Sequence, residues 1–352
     1  MIADILHRVA GMEYIHRPYH PRPSSAGPER CIRQMVFHAM GVEPDITPGG
    51  RMQIVFDDGH WHEELTNDWI RKTSFQLHSE QMPVDVTELD FLPRDLPPRH
   101  CSMCDADVPF NMLHGHIDGI VTNTLEEDPN DVLFDHKAIN HFTYQRYADG
   151  ELPLDYFAQL ALYSNAIQRN INSNCTDILL LVKNKNTGQY LEFVMNYNIY
   201  SDSITITKII LSDGSFIQVD KEINNIVYNA IDKFRQVHIQ SEAKTLPKRQ
   251  YYVDHWRCDY CLWKERCWDG VVLEQKRRIR TIPKYINYHY LDCQEARAAA
   301  KRKDVAVDAI RTYMRKYDLL FLKTEDGLIR RTVGVNGRDT IRFPRITKGK
   351  SQ

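Results

Sequence analysis

The sequence has no apolar run as long as the roughly 18 residues that a membrane span needs, and no apolar leader at its N-terminus. We therefore expect a cytoplasmic protein with no membrane partner. We find no internal repeat and no low-complexity tract. The formal net charge is only −2, so overall charge does not indicate a nucleic-acid-binding protein. The basic residues are nevertheless concentrated locally at 276–280, 301–303 and 330–350.

Disulfide bonds are not expected in a reducing compartment, yet the chain contains eight cysteines. Metal binding is the usual alternative. Three cysteines form a C-x2-C-x5-C motif beside tryptophans and a fourth lies far upstream: Cys258, Cys261, Cys267 and Cys31. Four thiolates suit either a 4Fe–4S cluster or a structural zinc ion. Cys101 and Cys104 form a separate pair, which we expect to be unligated.

The hydrophobic pattern predicts strands that alternate with helices. Helices are expected over 31–40, 52–73, 155–169, 222–238 and 292–317, mainly from apolar residues spaced three or four apart. Strands are expected over 84–92, 114–122, 132–138, 176–183, 189–197, 328–334 and 339–343. This order predicts an α/β fold in which helices flank a mixed central sheet.

Two of these strands carry a carboxylate next to their apolar run, Asp118 on the first and Asp135 on the second. Side chains two apart on a strand share a face, so Asp135 and Lys137 should lie side by side next to Asp118. Burying these charges together is costly unless a metal ion such as Mg²⁺ or Mn²⁺ lies between the carboxylates. The carbonyl of His136 would add an oxygen ligand. A solvated salt bridge would explain the same spacing.

Two predicted helices offer further polar side chains. Gln159 and Tyr163 are four residues apart and share a helix face, so they either line the same site or belong to the core at a strand edge. His62 lies in the helix over 52–73. It is either a nitrogen ligand to the same metal or a structural or surface histidine.

Taken in order, these motifs resemble the PD-(D/E)XK nuclease superfamily in its RecB-like branch. They are Cys31, Gly-x-x-His ending at His62, Gly-x-x-Asp-Gly around Asp118, Asp-x-Lys from Asp135 to Lys137, Gln-x-x-x-Tyr from Gln159 to Tyr163, and C-x2-C-x5-C. The resemblance covers roughly residues 28 to 268. The kin that it indicates are iron–sulfur exonucleases of the CRISPR-associated Cas-four type and of the AddB C-terminal domain.

The resemblance implies a three-layer α/β nuclease core with a 4Fe–4S cluster held by Cys31, Cys258, Cys261 and Cys267. It implies a metal site formed by His62, Asp118, Asp135 and Lys137, in which the lysine positions the attacking water. It also implies that Gln159 and Tyr163 shape the site and hold DNA. One departure is that Asp135 stands where glutamate is commoner, and its side chain is a methylene shorter.

The C-terminal section lies outside that core. Its basic helix and hairpin also resemble the tail of phage recombination exonucleases of the YqaJ type. This resemblance implies a clamp on the DNA backbone by Arg330, Arg331 and Arg342, whereas a packing extension with a solvated basic face is the alternative. We expect a lead-in over 1–27, a core over 28–270 and a small α+β extension over 271–352.

The implied function is that of a metal-dependent DNA exonuclease, encoded by a phage or a prokaryote. It would act on single strands or DNA ends in recombination, repair or replication, in the host cytoplasm if a phage encodes it. A helicase, a recombinase, a single-strand-binding protein or further copies of the chain would be its partners. Two alternatives stay open: a spacer-end trimming nuclease of CRISPR adaptation, and a non-catalytic iron–sulfur DNA-binding module of a helicase or replication complex.

Overall fold

The computed structural model describes residues 2–12, 18–46, 49–125, 130–253, 255–269, 284–324, 327–333 and 339–343. The chain divides into two compact units, Met1–Asp269 and Gly270–Gln352, and each is described by itself. Within the described residues, none of the helices is long and apolar enough to cross a membrane.

The first unit combines short and long elements of both kinds. Its strands are β1 Phe75–His78, β2 Pro83–Glu88, β3 Arg99–Cys101, β4 Ala106–Val108, β5 Met112–His116, β6 Gly119–Asn123, β7 Asp131–Ile139, β8 Asp177–Asn184, β9 Tyr190–Asn198, β10 Ser203–Ile210 and β11 Phe216–Asn224. Its α-helices are α1 Ile2–Met12, α2 Ile32–Ala39, α3 Gly50–Ile70, α4 His141–Ala148, α5 Leu154–Asn170, α6 Ile226–Glu242, α7 Trp256–Asp259 and α8 Lys264–Trp268.

Seven strands form one sheet in the order β1-β6-β7-β8-β9-β10-β11. Strands β7 and β8 run parallel, because α4 and α5 carry the chain back between them. The other neighbouring pairs in this sheet are antiparallel. The predicted α/β class with a mixed central sheet is therefore confirmed.

Helices cover both faces of the sheet. Helix α5 has Asp155 in its first turn and Arg169 in its last turn, charges that complement the helix dipole. Its buried residues pack on β9 and β10, and Phe157 meets Phe193 edge to face with ring centres 5.7 Å apart. Helix α3 packs against β7 and β1 on the other face. Helix, sheet and helix fit a three-layer α/β arrangement.

The predicted strand over 114–122 is two strands in the structure. Strand β5 pairs with β2 in a separate two-stranded sheet, whereas β6 pairs with β7 in the central sheet. The break falls at Ile117, which is fully buried and whose N–H donates to the Met82 carbonyl at 3.1 Å. Asp118 therefore lies at a bend between two sheets rather than within a strand.

The predicted helix over 222–238 is wrong in its first residues, which belong to β11. Asn225 has a left-handed φ of 55° and separates β11 from α6. The N–H groups of Val227 and Tyr228 donate to the Asp202 carboxylate at 2.9 and 2.8 Å, which caps the helix. Strands β10 and β11 were not predicted from the sequence, and the predicted strand over 84–92 ends earlier, at Glu88.

The second unit contains the helix α9 Lys284–Lys316 and the strands β12 Phe321–Thr324, β13 Gly327–Val333 and β14 Asp339–Arg342. The strands form an antiparallel sheet in the order β12-β13-β14. The predicted pairing of the two C-terminal strands is confirmed, while the Asn336–Gly337 turn predicted between them lies outside the described residues.

Gly115 allows helix α5 to approach β5 closely. A Cβ atom at this residue would lie 2.7 Å from the Tyr163 hydroxyl and 3.1 Å from Pro23 Cγ. Gly115→Ala should therefore destabilise the protein by about 1–3 kcal/mol, as overpacking does. Gly59→Ala in α3 is the control, because its Cβ would meet nothing within 4 Å, and it should stabilise the protein by about 0.5–1 kcal/mol. Equal melting temperatures of the two variants would contradict this packing.

Candidate functional site

Strand β7 presents Asp135 and Lys137 on one face, and the bend before β6 brings Asp118 next to them. Lys137 Nζ lies 2.5 Å from Asp135 Oδ2 and 3.6 Å from Asp118 Oδ2. Lys137 also donates to the His136 carbonyl at 3.1 Å, and the His136 N–H donates to Asp118 Oδ2 at 2.9 Å. The structure thus brings three of the predicted residues together in what we call the carboxylate site (Asp118, Asp135 and Lys137).

Asp135 is the most deeply buried member of the carboxylate site. Its residue is 1% exposed, and its Oδ1 accepts no hydrogen bond. Burial and the nearby Asp118 raise the pKa of Asp135 to about 7. Burial acts against the charge on Lys137, but Asp118 and Asp135 outweigh it and raise the pKa of the lysine. The lysine therefore stays protonated beside carboxyl groups that outnumber it.

Glu63 of α3 is a third carboxyl group at this site, and the sequence analysis did not identify it. Its Oε1 accepts a hydrogen bond from Gln81 Nε2 at 2.8 Å. Burial and the charge of Asp118 raise the pKa of Glu63 to about 7, and Glu63 in turn contributes to the raised pKa of Asp135. Glu63 directly follows His62 in the sequence. Because neighbouring helix residues point in different directions, Glu63 was the alternative to His62 for a side chain that faces the site, and this was the available sequence signal.

His62 does not join the two aspartates in a group of three ligands. Its Nε2 lies 3.7 Å from Asp58 Oδ1, and burial together with Lys183 lowers the pKa of the imidazole. The ligand atoms of His62, Asp118 and Asp135 do not all lie within 4.8 Å of one another, and neither do those of Glu63, Asp118 and Asp135. Glu63 differs from His62 in that Asp118 raises its pKa and its own charge raises the pKa of Asp135.

His136 contributes its backbone to the carboxylate site and its ring to the other face of β7. The ring Nε2 lies 3.2 Å from Thr66 Oγ1 of α3. Burial and the charge of Lys137 lower the pKa of His136 to about 3, so the ring is neutral. The backbone N–H fixes Asp118 and the carbonyl fixes Lys137.

Helix α5 forms a wall of the site with the predicted Gln159 and Tyr163. The two residues share a helix face, as their spacing of four allows, and Gln159 acts to lower the pKa of the Tyr163 hydroxyl. Tyr163 is 4% exposed, and burial and the charge of Asp135 raise its pKa. The ring of Tyr156, on the same helix, lies 5.7 Å from Lys137 Nζ.

The cysteines of the predicted cluster line one small cavity, which we call the four-cysteine cavity: Cys31, Cys258, Cys261 and Cys267. The first cysteine precedes α2, and the others lie in the segment that carries α7 and α8. The side chain of Trp268 lines the same cavity. Burial raises the pKa of the Cys258 and Cys261 thiols, that of Cys261 to about 11.

Contacts outside the four-cysteine cavity hold the same two segments together. Trp263 Nε1 donates to the Val42 carbonyl at 2.8 Å. The Arg257 guanidinium pairs with Glu29 and with Asp155, with Nη2 3.1 Å from Asp155 Oδ2. Because Asp155 lies in the first turn of α5, the cysteine segment is attached to the helix that forms a wall of the carboxylate site.

A second group of cysteines was not recognised as a set from the sequence. One ligand atom from each of four residues lies within 4.8 Å of the others, in Cys101, Cys104, His114 and His116. Among the described residues, only this group brings three or more such ligand atoms so close together. Cys101 and Cys104, which we expected to be unligated, therefore belong to a group that can hold a metal ion.

The three arginines predicted to contact DNA differ in their surroundings. Arg330 and Arg342 are cross-strand partners on β13 and β14, and both are exposed. The guanidinium of Arg330 lies over the Phe321 ring, 5.3 Å from its centre. Arg331 is largely buried, and its Nη1 donates to the Met314 carbonyl at 3.3 Å. Arg331 thus stabilises the end of α9, and the other two arginines remain available to a ligand.

Comparisons with known proteins find little similarity to this chain. No family model matches the chain, and no curated protein matches it. A solved structure titled "Crystal structure of SSO0001" aligns with 75% of this chain and 94% of its own, at 10% identity and a TM-score of 0.36. Function must therefore be inferred from the residues of the chain itself.

Cation binding at the carboxylate site should weaken as the pH falls. Asp135 and Glu63, with pKa values of about 7, retain protons below that pH, and a cation must displace them. We expect the Mn²⁺ affinity to fall about tenfold for each of these groups between about pH 8 and about pH 6. Titration calorimetry in buffers of different ionisation enthalpy measures both the affinity and the protons released.

Asp135→Asn should bind Mn²⁺ more weakly and with a smaller pH dependence. The exposed Asp220→Asn, at a residue with a left-handed φ that asparagine tolerates, should leave both quantities unchanged. An affinity independent of pH in the wild-type protein would contradict the raised pKa values.

Proposed function

We propose that this protein is a metal-dependent deoxyribonuclease that acts on DNA ends and carries a structural 4Fe–4S cluster. The observation that carries this proposal is that the buried Asp135 and the neighbouring Asp118 share one lysine, while Asp135 Oδ1 accepts no hydrogen bond. One ammonium group does not neutralise both carboxylates, and a bound cation offsets the remaining cost of burying them. The order of motifs that resembles RecB-like nucleases supports the same function.

The donors at the carboxylate site fit Mg²⁺ or Mn²⁺. Asp118, Asp135 and Glu63 offer carboxylate oxygens, which these hard cations prefer. When bound, such a cation polarises a phosphodiester and makes water more acidic. Glu63 is added to the ligands that the family resemblance implies, since Asp118 raises its pKa and its charge raises that of Asp135, while His62 stays a predicted nitrogen ligand.

Lys137 is the residue to which we assign stabilisation of the reacting phosphate. Its Nζ is fixed by Asp135, by Asp118 and by the His136 carbonyl, so little reorganisation is needed when negative charge develops.

Tyr163 and Gln159 act on the site through Asp135. The Tyr163 side chain is buried, and the charge of Asp135 contributes to its raised pKa while Gln159 acts to lower it. We assign to this pair the positioning of the Asp135 carboxylate. DNA contacts fit Arg330 and Arg342 better, because exposed guanidinium groups can pair with phosphates.

The four-cysteine cavity fits a 4Fe–4S cluster better than a zinc ion. Around one zinc ion the thiolates are drawn close, with Zn–S distances of about 2.3 Å. In a cubane each thiolate binds a different iron, so the sulfurs stand farther apart. No three of these four cysteine sulfurs lie within 4.8 Å of one another. The cluster would join the start of α2 to the segment after α6, so its role would be structural.

Cleavage of labelled single-stranded DNA with Mn²⁺ tests the proposed activity. Asp118→Ala and Lys137→Ala should each lower the rate by roughly 10²- to 10⁴-fold, because charge stabilisation at the phosphate is lost. Asp220→Asn and Lys221→Ala, which change exposed residues of β11, should cleave at the wild-type rate. Equal cleavage by all five proteins, or none by the wild type, would refute the assignment.

Anaerobic purification tests the proposed cluster. The wild-type protein should be brown with about four irons per chain, as expected for one 4Fe–4S cluster. Cys258→Ser should lose iron, colour and solubility together. Cys175→Ser is the control, because Cys175 is buried away from this cavity and carries a thiol whose pKa is raised to about 11 by burial. A colourless wild-type protein with zinc at these cysteines would contradict the cluster.

A further inference from the structure

We propose that Cys101, Cys104, His114 and His116 bind a structural zinc ion, distinct from the carboxylate site and from the four-cysteine cavity. Cys101 ends β3, Cys104 lies in the turn before β4, and the two histidines lie on β5. Residues two apart on a strand share a face, so the H-x-H spacing directs both imidazoles toward the same point. We call these four residues the Cys₂His₂ site.

The distances in the Cys₂His₂ site are those of tetrahedral coordination. Cys101 Sγ lies 3.8 Å from His116 Nε2, and Cys104 Sγ lies 3.7 Å from His114 Nε2. Zn–S and Zn–N bonds of about 2.3 and 2.0–2.1 Å at a tetrahedral angle put sulfur and nitrogen about 3.6 Å apart. The four side chains are therefore already spaced as zinc ligands, without any rearrangement of the backbone.

Groups around the ligands are arranged as they are in protein zinc sites. His114 Nδ1 lies 2.7 Å from Asp85 Oδ1, which leaves Nε2 facing the sulfur atoms. A carboxylate behind a ligating histidine fixes the ring and its tautomer.

The types of donor atom in the Cys₂His₂ site favour one metal ion over the others. Two thiolates and two imidazoles suit Zn²⁺, and four protein ligands close the coordination sphere as in structural sites. Mg²⁺ and Mn²⁺ prefer oxygen donors and belong at the carboxylate site. The two cation sites thus have different donors and should fill independently.

The consequence of zinc binding would be a fixed connection next to the carboxylate site. The β3–β4 hairpin has only three paired positions of its own, so it gains little stability without an additional tie. Zinc would fasten it to β5, and β5 runs directly into the bend that carries Asp118. Loss of zinc should therefore loosen residues 99–108 first.

Metal analysis of the full-length protein tests this proposal without relying on nuclease activity. We expect about one zinc per chain in the wild-type protein, and loss of most of it in Cys104→Ser and in His116→Ala. His100→Ala is the matched control, because His100 adjoins Cys101 but lies near Asp105 and Asp107 instead. It should keep its zinc, and so should Cys175→Ser, whose thiol is buried outside both cysteine sites. Hydrogen exchange over residues 99–108 should rise in the two zinc-free variants alone.

Replacement of zinc by Co²⁺ in the wild-type protein keeps the proposal testable if the variants fail to fold. The expected spectrum has thiolate charge-transfer bands and the strong d–d bands of a tetrahedral site. A wild-type protein without zinc, with free thiols or a Cys101–Cys104 disulfide, would overturn the proposal. So would zinc retained in Cys104→Ser, zinc lost from Cys175→Ser, or a cobalt spectrum without thiolate bands.

Discussion

The constraint on which the rest of the first unit depends is a carboxylate buried beside a charged lysine in the middle of a sheet. Asp135 lies on β7, between the antiparallel β6 and the parallel β8, where water cannot reach its side chain. The charge is tolerable because Lys137 stands two residues away on the same face. One lysine does not balance three carboxyl groups, however, and this imbalance is what makes a cation at the site physically reasonable.

Several other features hold the groups around that carboxylate in place. The His136 N–H fixes Asp118, and the absence of a side chain at Gly115 lets Tyr163 pack behind Asp135. The four-cysteine cavity lies between the start of α2 and the segment that carries α7 and α8, and Arg257 links that region to α5. The proposed zinc ion would strengthen the strand that leads into the bend. The carboxylate site is therefore supported from both faces of the sheet and from the ends of the unit.

Features set by local periodicity could be predicted from the sequence. Asp135 and Lys137 share a face because strand residues alternate, and Gln159 meets Tyr163 because helix residues four apart are neighbours. The α/β class with a mixed sheet followed from the same periodicities. The four cysteines of the proposed cluster also line one cavity, as their spacing suggested.

Features set by long-range packing could not be predicted in this way. The strand over 114–122 breaks because Ile117 is buried where two sheets meet, and periodicity alone does not reveal such a junction. Glu63 was missed because a helix pattern cannot decide between it and its neighbour His62. The Cys₂His₂ site was missed because it depends on how the β3–β4 hairpin lies against β5, which no spacing within the hairpin determines.

The central claim is that a divalent cation binds between Asp118 and Asp135. Anomalous diffraction from Mn²⁺-soaked crystals, measured on both sides of the manganese absorption edge, tests it most directly, since manganese is then distinguished from iron and zinc. We expect one or two manganese peaks in contact with both aspartates, with Asp135 Oδ1 as a ligand. Well-ordered carboxylates without such a peak, and Asp135 bound only by Lys137, would contradict the claim.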